Sequence, residues 1–438
     1  MTPLTLGSLS LLIVVFFIAI RLPIGVALGA IGLGGIILLR DVDVAIGVIK
    51  DTPYEFSASW TLTAIPMFLL MGSIAHNSGI SKALFVAARL WFSALPGGLA
   101  VATNMACAAF AAASGSSVAT AAAMGRIAIP EMLRHGYDKA LATGVVASAG
   151  TLGSLIPPSI LFVLYGIFAE VSIVKLLIAG VFPGLLTALV YTIMIIARAK
   201  INPELAPSLS KEETEALKPD RWKSLVDVWP IVALIVGIIG GLYGGIFTPT
   251  EAGAAGAFLA LVIAAIQGRL TMQVFRDSLM ESIGATSQIF FVALGAVIYS
   301  KFLALSGLPV FLGELMGDWA LNPLILVLAM SLVYIFLGMF LDPLGLLLLT
   351  LPVLLPMFEA LNLDLIWLGV LVVKYLEIGL LTPPVGFNVY VIKSVVGDSI
   401  PLETIFRGVA WFLACEVVIV ALLIAFPEIS LYLPSTMD

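Results

Sequence analysis

Apolar runs recur along almost the whole chain, several of them near the roughly 17–25 residues that a tilted helix needs to cross a bilayer. Runs 6–20 and 23–39 meet at Arg21-Leu22-Pro23. A charged patch from Arg40 to Glu55 then leads past Trp60, a residue suited to an interface, into a run at 61–78. Residues 82–91 are amphipathic and predict a helix lying along the membrane surface. Runs at 140–168 and 173–197 follow. Beyond a hydrophilic stretch the plan returns as 228–246, 250–267, an amphipathic 270–281, 283–305, 365–396 and 407–426.

Two segments do not read as simple spans. Residues 97–130 are rich in alanine and centre on Ser114-Gly115-Ser116-Ser117, a polar cluster that one long helix would bury at mid-depth. Folded as a re-entrant hairpin, each arm of roughly 15 residues reaches part-way across a core about 30 Å thick, and the cluster becomes the tip. A small-residue seam between helices explains the alanines but not the serines. A second hairpin is predicted over 323–358, turning at Leu341-Asp342-Pro343-Leu344-Gly345.

Two of the runs are themselves broken. Run 140–168 is interrupted by Gly153-Ser154-Leu155-Ile156-Pro157-Pro158 and run 365–396 by Gly379-Leu380-Leu381-Thr382-Pro383-Pro384, with 153 + 226 = 379 and 158 + 226 = 384. Each proline removes a backbone donor and pushes its predecessor out of the helical region. In lipid such a break is tolerated only where the freed groups are buried in protein or line a cavity. The same offset carries Pro23 onto Pro249 and Pro130 onto Pro356, so the interruptions share one register. Matched interruptions in two halves point to a transporter's binding site. The chain thus divides into a first repeat at 1–197, a linker at 198–224 and a second repeat at 225–438.

Basic residues set the orientation, because they stay on the cytoplasmic side. Lys82, Arg89, Arg126, Arg134 and Lys139 flank the first hairpin, whereas the shifted segment holds Glu314, Asp318, Glu359 and Asp364 and no lysine or arginine. The hairpins are therefore expected to enter from opposite faces. Five spans per half, an odd number, invert the second repeat, keep the linker inside and put both termini outside. The fold expected is an all-α polytopic membrane protein of two inverted-topology repeats, each with a re-entrant helical hairpin and a Pro-Pro-broken transmembrane helix.

Composition agrees: of 438 residues, 61% are hydrophobic and 11% charged, against about a quarter charged in soluble domains. The net charge of −6 on so few charges says little about partners, and the sequence has no basic stripe of the kind nucleic acid requires. Cys107 and Cys415 lie in apolar runs and form no disulfide or metal framework. The first run has no basic leader and is expected to be a mature span. There is no His-Glu-x-x-His pair, Gly-x-Ser-x-Gly elbow or phosphate loop, so no enzyme is expected and uphill transport must draw on an ion gradient or another subunit.

Two oxygen-rich constellations carry the candidate chemistry. The first is Ser114, Gly115, Ser116 and Ser117 with Thr151 and Gly153; the second is Asp342 and Gly345 with Gly379 and Thr382. Hydroxyl, carboxylate and backbone oxygens suit a hard cation, while half-helix N-termini suit an anion. Each hydroxyl could instead bond back to its own helix, and Asp342, an ionisable group between apolar runs, could simply cap its hairpin. Lys374 and Glu377, three apart, most simply pair with each other. Thr248-Pro249-Thr250-Glu251 spells a capping box that accounts for Glu251. His76 and His135 have no partners at ligand spacing.

The motifs at 114–125 (Ser-Gly-Ser-Ser-Val-Ala-Thr-Ala-Ala-Ala-Met-Gly), 150–159 (Gly-Thr-Leu-Gly-Ser-Leu-Ile-Pro-Pro-Ser), 249–254 (Pro-Thr-Glu-Ala-Gly-Ala) and 379–388 (Gly-Leu-Leu-Thr-Pro-Pro-Val-Gly-Phe-Asn) occur in that order. Together they resemble the large membrane subunit of tripartite ATP-independent periplasmic (TRAP) transporters, the DctM-like family, over nearly the whole chain. The resemblance implies elevator-type, sodium-coupled uptake of organic carboxylates (C4-dicarboxylate, keto acid or sugar acid) across the bacterial inner membrane. It also implies a periplasmic solute-binding protein and a small four-helix membrane subunit, here expected as a separate polypeptide because the chain starts directly in the large-subunit pattern. Two or more Na+ ions are expected. One set is Ser114, Gly115, Ser116, Thr151 and Gly153, the other Asp342, Gly379 and Thr382, with the solute between them against Ser116, Ser117, Pro157, Gly345, Pro383 and Asn388. A stand-alone sodium/dicarboxylate symporter of related architecture is the rival reading. An intramembrane hydrolase using Asp342 lacks a second carboxylate in a matching break, and a scaffolding protein leaves the matched breaks unexplained.

Overall fold

The structure, a computed structural model, describes residues 2–207, 220–318 and 322–437, so the middle of the expected linker lies outside the described residues. Among the described residues there is no strand: helices follow one another with short turns from Pro3 to Ser435. Five helices are long and apolar enough to cross a membrane, or eight if three pairs bent by 42–55° each count as one span.

At each of the two expected hairpins the structure has a pair of helices joined by a short turn. Helices Gly98–Ser114 and Ser117–Arg134 turn at Gly115, whose φ of +62° places it in the left-handed region that glycine adopts without a steric cost. Helices Pro323–Gly338 and Pro343–Ala360 turn through Leu341-Asp342. The two broken helices also form. Lys139–Gly150 and the short Leu152–Leu155 give way to Ile160–Phe168, and Leu365–Gly379 gives way to Phe387–Val396. The Pro157-Pro158 and Pro383-Pro384 bonds are both cis.

Helix boundaries keep the sequence offset. Adding 226 to 117 and 134 gives 343 and 360, the ends of Pro343–Ala360. Adding it to 24 and 39 gives 250 and 265, against Pro249–Ile266, which opens with the expected Thr248/Glu251 capping box. One pair departs from the pattern. Val42–Ser57 and Trp60–Asn77 are bent by 55°, whereas the second half runs without a break as Met272–Ser306, 35 residues. The expected separate segments 270–281 and 283–305 are therefore one helix, because only Ser282 stands between them, no proline is near, and the neighbouring Gly284 is tolerated in a helix.

The halves interlock through small residues, as membrane helices do when backbones must approach closely. Ile24–Leu39 lies along Met272–Ser306, where a Cβ on Gly32 would come 2.9 Å from the Tyr299 backbone. Ala64–Asn77 lies along Pro249–Ile266, with Gly256 against the Met71 sulfur. Leu402–Ala425 crosses Lys139–Gly150 at Gly408, where an added Cβ would sit 1.9 Å from the Ala140 carbonyl oxygen. The tips and breaks are packed inside this frame.

Candidate functional site between two hairpin tips

The first tip is wedged into the first break. Ser116 is the N-cap of its helix, its hydroxyl accepting from the Ala119 amide, while Ser114 Oγ lies 2.6 Å from Thr120 Oγ1. Gly153 has no room for a side chain: an added Cβ would lie 2.5 Å from the Ser116 carbonyl oxygen, and one on Gly115 would lie 2.8 Å from that of Pro158. Ser117 Oγ reaches Ser154 Oγ at 2.9 Å and the Thr151 carbonyl at 3.4 Å. It also donates to Glu377 Oε2, on the second broken helix, at 2.5 Å.

The second tip repeats the design with a carboxylate. Asp342 caps Pro343–Ala360, both of its oxygens accepting from the Gly345 amide at 3.0 and 3.2 Å. Gly379 meets the hairpin's first arm, where a Cβ would fall 2.7 Å from Gly338 Cα. Thr382 donates to the Ile378 carbonyl at 2.7 Å and Thr151 to that of Ser148 at 2.6 Å. Back-bonding thus uses both hydroxyl hydrogens and leaves oxygen lone pairs to accept.

Both tips and both breaks face one cavity of about 330 Å³. Gly115, Ser116 and Ser117 come from the first tip, Ser154 and Ile160 from the first break, Asp342 from the second tip, and Glu377 and Leu380 from the second break. Three helix N-termini, at Ser117, Ile160 and Pro343, end on its wall. Ser114 lines an adjoining cavity of about 320 Å³ that also carries Arg126 and His76.

The sequence matches the family described as the tripartite ATP-independent periplasmic transporter, DctM component, over residues 11–429. It is 37% identical over 385 residues to the C4-dicarboxylate TRAP transporter large permease protein DctM of Pseudomonas aeruginosa, covering 87% of this chain and 88% of that protein. To the sialic acid TRAP transporter large permease protein SiaM of Vibrio cholerae it is 34% identical, covering 86% of each. The isethionate TRAP transporter permease protein DctMQ of Oleidesulfovibrio alaskensis is 32% identical over 88% of this chain, but the match occupies only 60% of that longer protein. The chain belongs to the DctM family of TRAP transporter large permeases. Its fold is also that of the Alcanivorax borkumensis YdaH transporter, with a TM-score of 0.60 at 14% identity over 96% of this chain and 98% of that one.

Not every expected residue of this DctM-family permease meets the cavity. Thr151, Gly153, Gly345, Gly379 and Thr382 do not line it: Gly153 and Gly379 pack against the hairpins, the Gly345 amide donates to Asp342 within its own tip, and Thr151 and Thr382 bond back to their own helices. Pro157 is buried, whereas Pro383 is exposed. Asn388 is buried away from the cavity, its Nδ2 donating to the Ala147 carbonyl at 3.2 Å. It ties the second broken helix to the first.

The expected Lys374–Glu377 pair is not formed. Lys374 Nζ lies 2.7 Å from Glu416 Oε2 on Leu402–Ala425 and 3.0 Å from Thr187 Oγ1, and Tyr191 donates to the same carboxylate. Glu377 turns instead to Ser117. Helical spacing puts the two side chains near one face, but neighbouring helices supply each with a better partner. Ser154, Gln288 and Glu377 line the cavity without having been singled out as site residues. A signal for Glu377 did exist: 151 + 226 = 377 makes it the image of Thr151.

Proposed function

We propose that this permease is the translocating subunit of a sodium-coupled, binding-protein-dependent importer of organic carboxylates in a bacterial inner membrane. In this reading two inverted repeats present their tips to each other and carry the solute by an elevator motion. The observation that carries it is the single cavity faced by both tips and both breaks, with the first residues of three helices on its wall. Helix N-termini favour an anion, and relatives are named for C4-dicarboxylate, sialic acid and isethionate, all acids. Oxygen donors and the Asp342 carboxylate supply what a hard cation prefers. One sodium is placed near Ser114–Ser116 with Thr151 and Gly153, another near Asp342 with Gly379 and Thr382, and the solute lies between them. A separate small four-helix membrane subunit and a periplasmic solute-binding protein complete the system.

The test is reconstitution in proteoliposomes with the small subunit, the binding protein and an inward sodium gradient. Radiolabelled succinate, N-acetylneuraminate and isethionate serve as probes. Uptake of succinate or N-acetylneuraminate, dependent on both sodium and the binding protein, is expected; uptake of isethionate alone, whose acid group is a sulfonate, would overturn the carboxylate part of the reading. Robust uptake by the isolated chain would instead support the stand-alone symporter, and uptake unchanged by replacing sodium with choline would end the sodium reading.

A further inference from the structure

Of the three charged side chains buried among the described residues, Lys374 and Glu416 pair with each other and Glu377 has no ion pair. Its side chain is 1% exposed, one carboxylate oxygen accepts from Ser117, and Oε1 has no hydrogen-bond partner although it is buried at the wall of the tip cavity. Lys374, one turn earlier, is bonded to Glu416 at 2.7 Å, and its attraction for Glu377 is opposed by that second carboxylate. Among the described residues, the cavity wall adds a second carboxylate, Asp342, and no basic side chain. A buried carboxylate without a cation is costly, and the cost grows with each further negative charge nearby.

The surrounding groups are suited to one remedy. Ser117 Oγ and Ser154 Oγ stand 2.9 Å apart beside the carboxylate, and both line the cavity. Oxygen-only donors with one formal charge match a hard monovalent cation. Among the described residues no cluster of three or more His, Cys, Asp or Glu side chains could hold a transition metal. We propose that Glu377, with Ser117 and Ser154, forms a further sodium site at the meeting of the first tip with both breaks, its charge supplied by Glu377 Oε1. The site joins the halves: Glu377 belongs to the second repeat, and both serines belong to the first.

This inference rests on the sodium-coupled reading, and a binding measurement separates the two. Purified full-length protein in detergent is equilibrated with radioactive sodium at constant ionic strength in choline chloride, and bound ions per chain are counted. Wild type is expected to bind sodium, and Glu377→Gln, which keeps the shape and can still accept from Ser117, is expected to bind one ion fewer. Ser154→Ala keeps the charge and removes one oxygen. It is expected to raise the dissociation constant of that ion about tenfold, equivalent to about 1.4 kcal/mol, and it decides the matter if Glu377→Gln does not fold. Equal stoichiometry in wild type and a folded Glu377→Gln overturns the site while leaving sodium coupling intact, as does an unchanged dissociation constant in Ser154→Ala. Absence of sodium binding by wild type overturns both readings.

Discussion

Lys374→Met should destabilise the permease by an amount the structure bounds. Lys374 and Glu416 are each 1% exposed and lie 2.7 Å apart, so the substitution strands a carboxylate between Leu365–Gly379, Val181–Ile201 and Leu402–Ala425. Breaking a buried pair from one side costs about 3–5 kcal/mol. The hydrogen bond from Tyr191 to Glu416 survives and places the expected loss near the lower end, about 3 kcal/mol. With an unfolding entropy of roughly 2.1 cal/mol/K per residue over 438 residues, that is a drop in Tm of roughly 3 °C. Thermal unfolding in detergent, followed by tryptophan fluorescence, reads it. Lys374→Met combined with Glu416→Gln removes both charges and should recover to within about 1 kcal/mol of wild type, as replacement of whole buried pairs commonly does. A single variant that melts with wild type, or a double variant as unstable as the single, would refute the assignment of this pair as a mutually dependent unit.

Asp342→Asn keeps the hairpin cap, since asparagine caps well, but removes the charge. Stability should hold while the sodium concentration for half-maximal uptake rises at least about tenfold, and an unchanged sodium curve would leave Asp342 as a cap alone. Gly32→Leu drives a side chain into the Tyr299 backbone, 2.9 Å from where its Cβ would stand, and should cost about 1–3 kcal/mol; a melting temperature equal to wild type would contradict the close seam. For topology, single cysteines at the exposed Lys82 and Glu359, in a background without Cys107 and Cys415, should label with an impermeant maleimide from opposite faces of the membrane. Labelling of both from one side would contradict the inverted arrangement.

The parts of the fold legible in the sequence are those dictated by backbone chemistry. Pro157-Pro158 and Pro383-Pro384 cannot sit inside a helix, Gly115 within its serine cluster marks the turn of a small-residue hairpin, and Asp342-Pro343 combines a capping side chain with a proline suited to the first helical turn. Each of these is a local constraint, and each helix boundary it implies is present. The fate of a long polar side chain is not local. Lys374 and Glu377 are neighbours on one helix, and only the packing of Leu402–Ala425 on one side and the first tip on the other sends them to different partners. The continuity of Met272–Ser306 escaped for a related reason: an amphipathic segment next to an apolar one is equally compatible with two helices or one unless a breaker stands between them.

The two halves of the sequence share a register but not a charge. Position 116 is serine and its image at 342 is aspartate; position 151 is threonine and its image at 377 is glutamate. All formal negative charge on the cavity wall therefore comes from the second half, and two cation positions placed by the repeat cannot be electrostatically equivalent. A position near Asp342 has a carboxylate from its own hairpin, whereas one at the first tip has hydroxyl and carbonyl oxygens from its own half. The contact between Glu377 and Ser117, at 2.5 Å, brings a carboxylate from the second repeat to the tip of the first. A cation held there would be stabilised by charge only while tip and second broken helix remain together. Cation binding would then resist their separation, and separation would weaken cation binding by the same free energy, as linkage requires. On the proposed sodium reading, that reciprocity is a route by which a cation at one tip holds the two halves together.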